Sequence, residues 1–346
     1  MNRESSFKLA TFSLAGCRPF PGLVLDDQAV ALEALGPMCR ELGFELTAPA
    51  SMLDVLDDWP GNFAALQAVA AARAGDPAIG RRLDRASVPV DRLEAHAPVL
   101  PRQVFCSGAN YRNHVIDMIV DTRESCPEEL KDDPEALRAW ATQLMDDRAA
   151  KGSPYMFTKP VSAVTGPFDS VLLPARVARP DWELELAVVM GRAARDVSRA
   201  EAMSHVAGFT IANDISARDH IWRRDELSPM GTDWVAGKCA PSFLPLGPYL
   251  VPAPFVGDLA DLRLTLKVNG EVMQDETTAD MIFDVPCQIE YLSGLVQLLP
   301  GDIICTGSPA GNAMHHGNRF LRDGDLMEGT ITGLGTQRNP CIGGRS

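Results

Sequence analysis

Hydrophobic spacing divides the chain into a front section and a longer body rich in strands. Residues 7–13 read as a strand, Gly16 marks a turn, and residues 23–25 read as a second strand. Val30, Leu32, Leu35 and Met38 sit close to one helical face, which predicts a helix over residues 28–42. A second helical pattern covers residues 62–74. The run Pro98-Val-Leu-Pro101-Arg102, with two prolines in five residues, reads as a linker. Residues 1–98 are therefore expected to stand as one unit and residues 99–346 as another.

The body opens with Val104-Phe-Cys, an apolar run that fits a buried strand, and breaks into the loop Gly108-Ala-Asn-Tyr-Arg-Asn-His114. Residues 127–150 change character. They are rich in Glu, Asp, Ala, Leu and Arg and have high helix propensity, with a start signal at Pro127-Glu-Glu and a stop at Lys151-Gly152. Two readings stay open for this segment. It is a solvated surface hairpin, or it is a lid over residues 118–152, since it leaves the chain directly after His114 and Asp117. From residue 155 the pattern is mostly β, with short runs at 183–190, 209–212, 263–268, 303–306 and 330–333 punctuated by Gly and Pro. Val268-Asn-Gly-Glu-Val272 is a hairpin signal, because Asn-Gly suits a type I′ turn. Helical stretches are expected at 199–207 and 278–298.

Composition narrows the function class. Hydrophobic residues are 46% of the chain and charged residues 23%, as in ordinary globular proteins. The formal net charge of -14 disfavours nucleic acid and anionic membranes as partners, though a local basic pocket can still take an anionic substrate. The 8 cysteines lack zinc-site spacing and read as reduced thiols packed as small hydrophobes. With no apolar leader after Met1 and no run long enough to span a bilayer, the expected location is cytoplasmic.

Chemistry concentrates in three places. In Asp181-Trp-Glu183-Leu-Glu185-Leu, strand alternation projects Glu183 and Glu185 from one face and Leu184, Leu186 and Val188 from the other. Alone, a Glu-x-Glu pair also describes an exposed strand face. The apolar run 187–190 instead carries the strand into the interior, where paired carboxylates repel unless a cation sits between them. Asp214 follows the apolar run 209–212, so it falls at a strand end. Glu183, Glu185 and Asp214 form an all-oxygen set suited to Mg²⁺, Mn²⁺ or Ca²⁺ rather than zinc. His114, taken alone, reads as a surface imidazole. His315-His316 lies in a Gly-rich stretch that makes a poor metal pair, and His205 and His220 take no assignment.

Four segments in order resemble the fumarylacetoacetate hydrolase family: Gly108-Ala-Asn-Tyr-Arg-Asn-His114, the Asp-x-Glu-x-Glu-Leu run at 181–186, Asn213-Asp-x-Ser-Ala-Arg218-Asp219, and Pro300-Gly-Asp-Ile-Ile-Cys-Thr-Gly-Ser-Pro309. Phe157-Thr-Lys-Pro160 and Gly237-Lys238 add weaker matches, and together they span about 103–337. The resemblance implies an α+β, mostly β fold: a mixed β-sandwich roll as catalytic domain behind a small N-terminal α/β domain, assembled as a homodimer. It implies Glu183, Glu185 and Asp214 as metal ligands. It makes His114 the general base, with a carboxylate partner that here is Asp117, one methylene shorter than the Glu of many members. It assigns Lys238 a catalytic role, although Cys239-Ala-Pro follows where Ser-Phe is usual, and gives Thr306 a substrate contact. Tyr111 and Lys159 are further substrate-facing candidates. Arg218 either pairs with a substrate carboxylate or tethers Asp219. Ser107 stands where some members supply a fourth carboxylate, so three protein ligands are expected.

These parts imply a metal-dependent hydrolase that cleaves a C–C bond in a small diketo or acylpyruvate-type acid. The cation would be a Lewis acid stabilising the enolate, with His114 and Asp117 activating water. The alternative is a hydratase or decarboxylase of a 2-oxo diacid, since one fold supports hydrolysis, hydration, decarboxylation and tautomerisation. A third reading is a 2-oxo-acid binding protein that lost turnover through Asp117.

Overall fold

In the computed structural model, residues 6–47, 49–123, 126–223 and 231–344 are described. The front section builds β1 (Lys8–Ser13), β2 (Phe20–Leu25), β3 (Gln28–Ala31), β4 (Val88–Pro89) and β5 (Glu94–His96) into a sheet of order β4-β3-β2-β1-β5. Four helices accompany it: α1 (Leu32–Glu41), α2 (Met52–Asp57), α3 (Trp59–Gly75) and α4 (Pro77–Ala86). The helix expected over residues 28–42 begins only at Leu32. Residues 28–31 are a strand instead, because Asp26, at φ 54°, turns the chain back so that Gln28 pairs with Leu25 and Val30 with Leu23. Helical spacing within a window cannot register that cross-strand pairing.

The body supplies β6 (Val104–Gly108), α5 (Arg112–Thr122), α6 (Pro134–Lys151), β7 (Tyr155–Lys159), β8 (Val171–Leu173), β9 (Leu184–Met190) and β10 (Val206–Asn213). Then follow α7 (Arg218–Ile221), α8 (Trp234–Lys238), β11 (Val251–Pro252), β12 (Arg263–Val268), β13 (Glu271–Thr277) and α9 (Val285–Leu295). β14 (Ile303–Cys305), β15 (Leu326–Ile331) and β16 (Gly335–Gly343) complete it. Six strands form one sheet, β11-β10-β9-β14-β6-β7, and five form another, β13-β12-β15-β16-β8. The hairpin at Asn269-Gly270 forms as its sequence predicts, both residues at positive φ and Val268 opposite Glu271.

Two expected helical stretches are shortened for the same reason. Residues 199–207 yield only a 3₁₀ turn at Ala202–His205, because Val206 and Ala207 are already in β10. Residues 278–298 split into a 3₁₀ turn (Thr278–Asp280) and α9, whose start is set by Asp284 accepting the Cys287 N–H and by Pro286. In each case one apolar run serves two elements.

β9 is buried on both faces. Leu184, Leu186, Val188 and Met190 join the core between the two large sheets, while Ala187 and Val189 join a second core shared with the front section's Leu9, Leu23, Leu32 and Leu66. Backbone bonds between Leu9 and Leu250, at 2.9 and 2.8 Å, stitch β1 to the body. The helices α5 and α6 pack through their own small cluster of Val115, Ile116, Ile119, Leu137, Ala141 and Met145. Of the segment 118–152, residues 124 and 125 lie outside the described residues. All eight cysteines are free, and four of them (Cys39, Cys106, Cys305 and Cys341) are buried.

Candidate metal and substrate site

Alternation along β9 fixes the first two carboxylates. Glu183 and Glu185 share the parity of Ala187 and Val189, opposite Leu184 and Leu186. β10 runs antiparallel beside β9 with Asn213 opposite Leu184, so Asp214 emerges next to them. One oxygen from each of Glu183, Glu185 and Asp214 lies within 4.8 Å of the others, and all three residues are buried. Oxygens around a cation bound at about 2.1–2.5 Å stand roughly 3–5 Å apart, so the set fits a hard divalent ion.

The triad is braced by backbone and cations. Asn213 Oδ1 accepts the Glu183 N–H at 2.9 Å, and Gln274 Oε1 accepts the Leu184 N–H at 3.0 Å. Gly307 donates its N–H to Glu185 Oε2 at 2.8 Å. That turn needs glycine, since φ is +97° and a Cβ would stand 2.8 Å from Asn110 Cβ. Lys159 Nζ donates to Asp214 Oδ1 at 2.5 Å, and Lys238 Nζ to Glu183 Oε2 at 2.5 Å and Asp214 Oδ2 at 2.6 Å. β7, which carries Lys159, lies four strands from β10, about 19 Å in a flat sheet. No lysine reaches so far, so the six-stranded sheet curls to close the site.

Electrostatics separate the two glutamates. Burial, then Asp214, Cys305 and Glu183, push the Glu185 carboxyl well above the usual carboxylate range. Burial acts the same way on Glu183, but Lys238 and Arg218 overcome it and hold that carboxyl below its usual range. For Lys238, burial is outweighed by Asp214 and Glu183, so its ammonium is held above its ordinary value and stays a donor.

Arg218, at the start of α7, does not tether Asp219 but spans two other carboxylates. Its Nε donates to Asp181 Oδ2 at 2.8 Å and its Nη2 to Glu183 Oε1 at 2.6 Å, while Asp219 accepts the backbone N–H groups of Ala178 and Arg179. Thr306 is buried and donates its hydroxyl to Leu186 O at 2.9 Å, bracing β14 against β9. Tyr111 is fully buried, and burial first, then Glu185, raise its phenol well above the ordinary value.

The His114 side is built differently. His114 lies in the first turn of α5, half-buried, and its Nδ1 is covered without a hydrogen-bond partner. Burial, then Arg218, lower its pKa to about 4, against the opposing pull of Glu183. The His114–Asp117 bond expected from the resemblance is not formed. Asp117 Oδ1 accepts from Arg138 Nη2 on α6 at 2.7 Å instead. The guanidinium that α6 offers has captured the Asp117 carboxylate.

The sequence marks His315 only as half of a poor metal pair, and the structure gives it another place. Its ring lies 5.7 Å from that of His114, centroid to centroid. His316, by contrast, bonds Met273 O at 2.9 Å. Neither joins the carboxylate triad. Asn110 was missed. It is buried and links three loops, donating to Phe283 O and Thr306 O and accepting from Phe283 N. The only sequence signal for it was its place in the Gly108–His114 motif.

Comparison with known proteins agrees with this architecture. The family profile described as fumarylacetoacetate (FAA) hydrolase C-terminal matches residues 103–342. A mitochondrial oxaloacetate tautomerase of Bos taurus is 34% identical over 300 residues, 86% of this chain and 82% of its own length. The solved structure of fumarylacetoacetate hydrolase from Exiguobacterium antarcticum superimposes with a TM-score of 0.70 at 27% identity, covering 98% of this chain and 100% of that one. Maleylpyruvate hydrolase from Sphingobium sp. SYK-6, solved with manganese (II) ion and pyruvate, gives 0.66 at 25% identity, with 98% and 100% covered. An acidic triad fit for a divalent cation, on a matching fold and under a matching profile, places the chain in the fumarylacetoacetate hydrolase family of enzymes acting on small molecules.

Proposed function

We propose that this protein is a Mg²⁺- or Mn²⁺-dependent enzyme that moves a proton on the carbon next to the oxo group of a small 2-oxo acid, a keto–enol tautomerase. When bound at Glu183, Glu185 and Asp214, the cation supplies Lewis acidity toward a chelating 2-oxo carboxylate. His114 is neutral above pH about 4 and takes the C3 proton. The imidazolium returns it to the oxo oxygen, so no water is consumed. Lys238, kept protonated by Asp214 and Glu183, donates a hydrogen bond toward developing oxygen charge. Asn110 and Gly307 keep the loops around the triad in register.

The observation that carries the choice of reaction is the Asp117–Arg138 pair. Water activation for C–C cleavage benefits from a carboxylate that steadies the imidazolium, and here that carboxylate is engaged elsewhere. Enolisation needs only a short proton transfer. The likeness to oxaloacetate tautomerases supports the same reading.

The second reading is hydrolysis of an acylpyruvate-type C–C bond, favoured by the likeness to maleylpyruvate hydrolase over nearly the whole chain. It requires α5 and α6 to act as a lid that releases Asp117 on closing. The test follows oxaloacetate enol absorbance and, by mass, the products of an acylpyruvate panel, with Mg²⁺, with Mn²⁺ and after chelation. Metal-dependent enol conversion without cleavage is expected. Metal-dependent cleavage outpacing enol conversion would hand the assignment to the hydrolase.

A further inference from the structure

Beside the triad lies a small cavity lined by His114, Met118, Arg218, Asn312, Met314 and His315, with the exposed Asp121 completing it. It is one guanidinium away from Glu183, since Arg218 touches both. With an accessible volume of about 20 Å³ it has room for little more than one water, so the far end of a 2-oxo acid chelated at the triad would enter by displacing the exposed Met118 and Met314 side chains.

The loop after β14 shapes the cavity wall. Gly311, at φ +99°, turns against the Met273 carbonyl, where a Cβ would stand 2.1 Å away. Asn312 is 1% exposed and anchors the loop by donating Nδ2 to Trp182 O at 3.0 Å. The Ala313 N–H bonds Asp181 Oδ1 at 2.9 Å, so the loop is tied to the entry of β9. His315 then rises from a 3₁₀ turn, its backbone N–H on Asn312 O at 2.9 Å.

The ring of His315 is oriented by one weak bond. The Gly311 N–H points at His315 Nδ1 at 3.4 Å, which makes Nδ1 the acceptor and leaves the proton of the neutral ring on Nε2. His315 Nε2 is buried and has no partner. Arg218 uses Nε and Nη2 on Asp181 and Glu183, and its Nη1 makes no hydrogen bond among the described residues. A buried donor without a partner costs about 1–3 kcal/mol, so such a group beside a substrate cavity is explained by a ligand acceptor.

We propose that His315 is a specificity-determining residue that donates Nε2–H to the distal carboxylate of the substrate, with Arg218 Nη1 beside it, so that the site selects 2-oxo diacids over 2-oxo monoacids. This rests on the metal-chelating reading above. Met118 and Met314 flank the cavity and are themselves 36% and 37% exposed. Asn312 Oδ1, also buried and unpaired, is an acceptor and suits a water or hydroxyl next to the carboxylate rather than the carboxylate itself.

The test measures binding to the full Mg²⁺-loaded chain by calorimetry and thermal shift. Three probes are used: oxalate, which chelates but has no far end; 2-oxobutyrate, which ends in a methyl group; and oxaloacetate, which ends in a carboxylate. Wild type is expected to prefer oxaloacetate over 2-oxobutyrate by about tenfold or more, the worth of one hydrogen bond to a charged group. His315→Leu should reduce that preference to within about twofold while moving oxalate binding less than twofold. His315→Gln, whose amide nitrogen falls near the position of Nε2, should keep most of it. An unchanged preference in His315→Leu, or equal loss in His315→Gln, would overturn the inference with the chelating reading intact. Failure of oxalate to bind any variant in the presence of Mg²⁺ would overturn that reading and this inference with it.

Discussion

The two halves of the site are built to different standards. On the β9–β10 side, three buried carboxylates meet two buried lysines, a backbone N–H and an arginine, nearly all at hydrogen-bond distance. On the α5 side, His114 and His315 face a cavity with covered nitrogens that nothing satisfies. Strands paired on both edges hold their side chains fixed, and so can preorganise charge for a cation. A helix in a hairpin joined to the body by a few polar contacts, such as Asn113 N–H on Asp280 and Arg148 on Ala109 O, leaves its groups free for a ligand to complete. The metal corner is thus finished by the fold, and the base corner by the substrate.

The largest effects should come from breaking the finished corner. Exhaustive chelation is expected to bring turnover to background, with Mg²⁺ or Mn²⁺ restoring it; full activity in the chelated protein would refute the metal assignment. Asp214→Asn removes the carboxylate shared by Lys159 and Lys238, whose side chains are 0% and 3% exposed. Leaving buried ammonium groups short of a partner should lower stability by about 3–5 kcal/mol in urea unfolding and abolish calorimetric Mg²⁺ binding.

Next in size is the contrast between the base and its missing partner. His114→Ala should lower kcat by about 10²–10⁴, while Asp117→Asn should stay within about tenfold, because Asp117 serves Arg138. Equal losses in the two variants would mean that Asp117 reaches His114 during turnover, and would favour the hydrolase.

The smallest effect sharpens the comparison through pH. The folded protein holds the His114 pKa at about 4, below the ordinary imidazole value of 6.5, so between those limits the unfolded chain binds more protons. Stability from this group is present above about pH 6.5 and is lost as pH falls toward 4. Asp280 acts in the opposite sense. Burial raises its pKa to about 6, and its contribution is lost as pH rises through that value. Urea midpoints between pH 7 and 4 should therefore fall less steeply in His114→Gln than in wild type; parallel curves would show that His114 is not held neutral by burial.

Much of the site was legible because its signals are local. The Glu183/Glu185 alternation needs only a strand, and Asp214 needs only the end of an apolar run. The Asn269-Gly270 turn carries its own conformational preference. What misled were segments whose periodicity fitted two elements, as at 28–42, where pairing across the Asp26 turn overrode helical spacing. The bonds of Arg218 to Asp181 and Glu183 were not legible, because these partners stand 37 and 35 residues earlier in the chain.

The sequence by itself determined the family, the hard-oxygen ligand set and the helical character of the segment after His114, since each depends on residue identity and short-range spacing. Tertiary structure alone decided which charges meet. It curled the sheet until Lys159 reached Asp214, turned Asp117 toward Arg138, and carried His315 from a distant loop to the ring of His114. The physical reason is range. Secondary-structure preference acts over a few residues, whereas a hydrogen bond or ion pair forms wherever the packed core brings its atoms within about 3 Å.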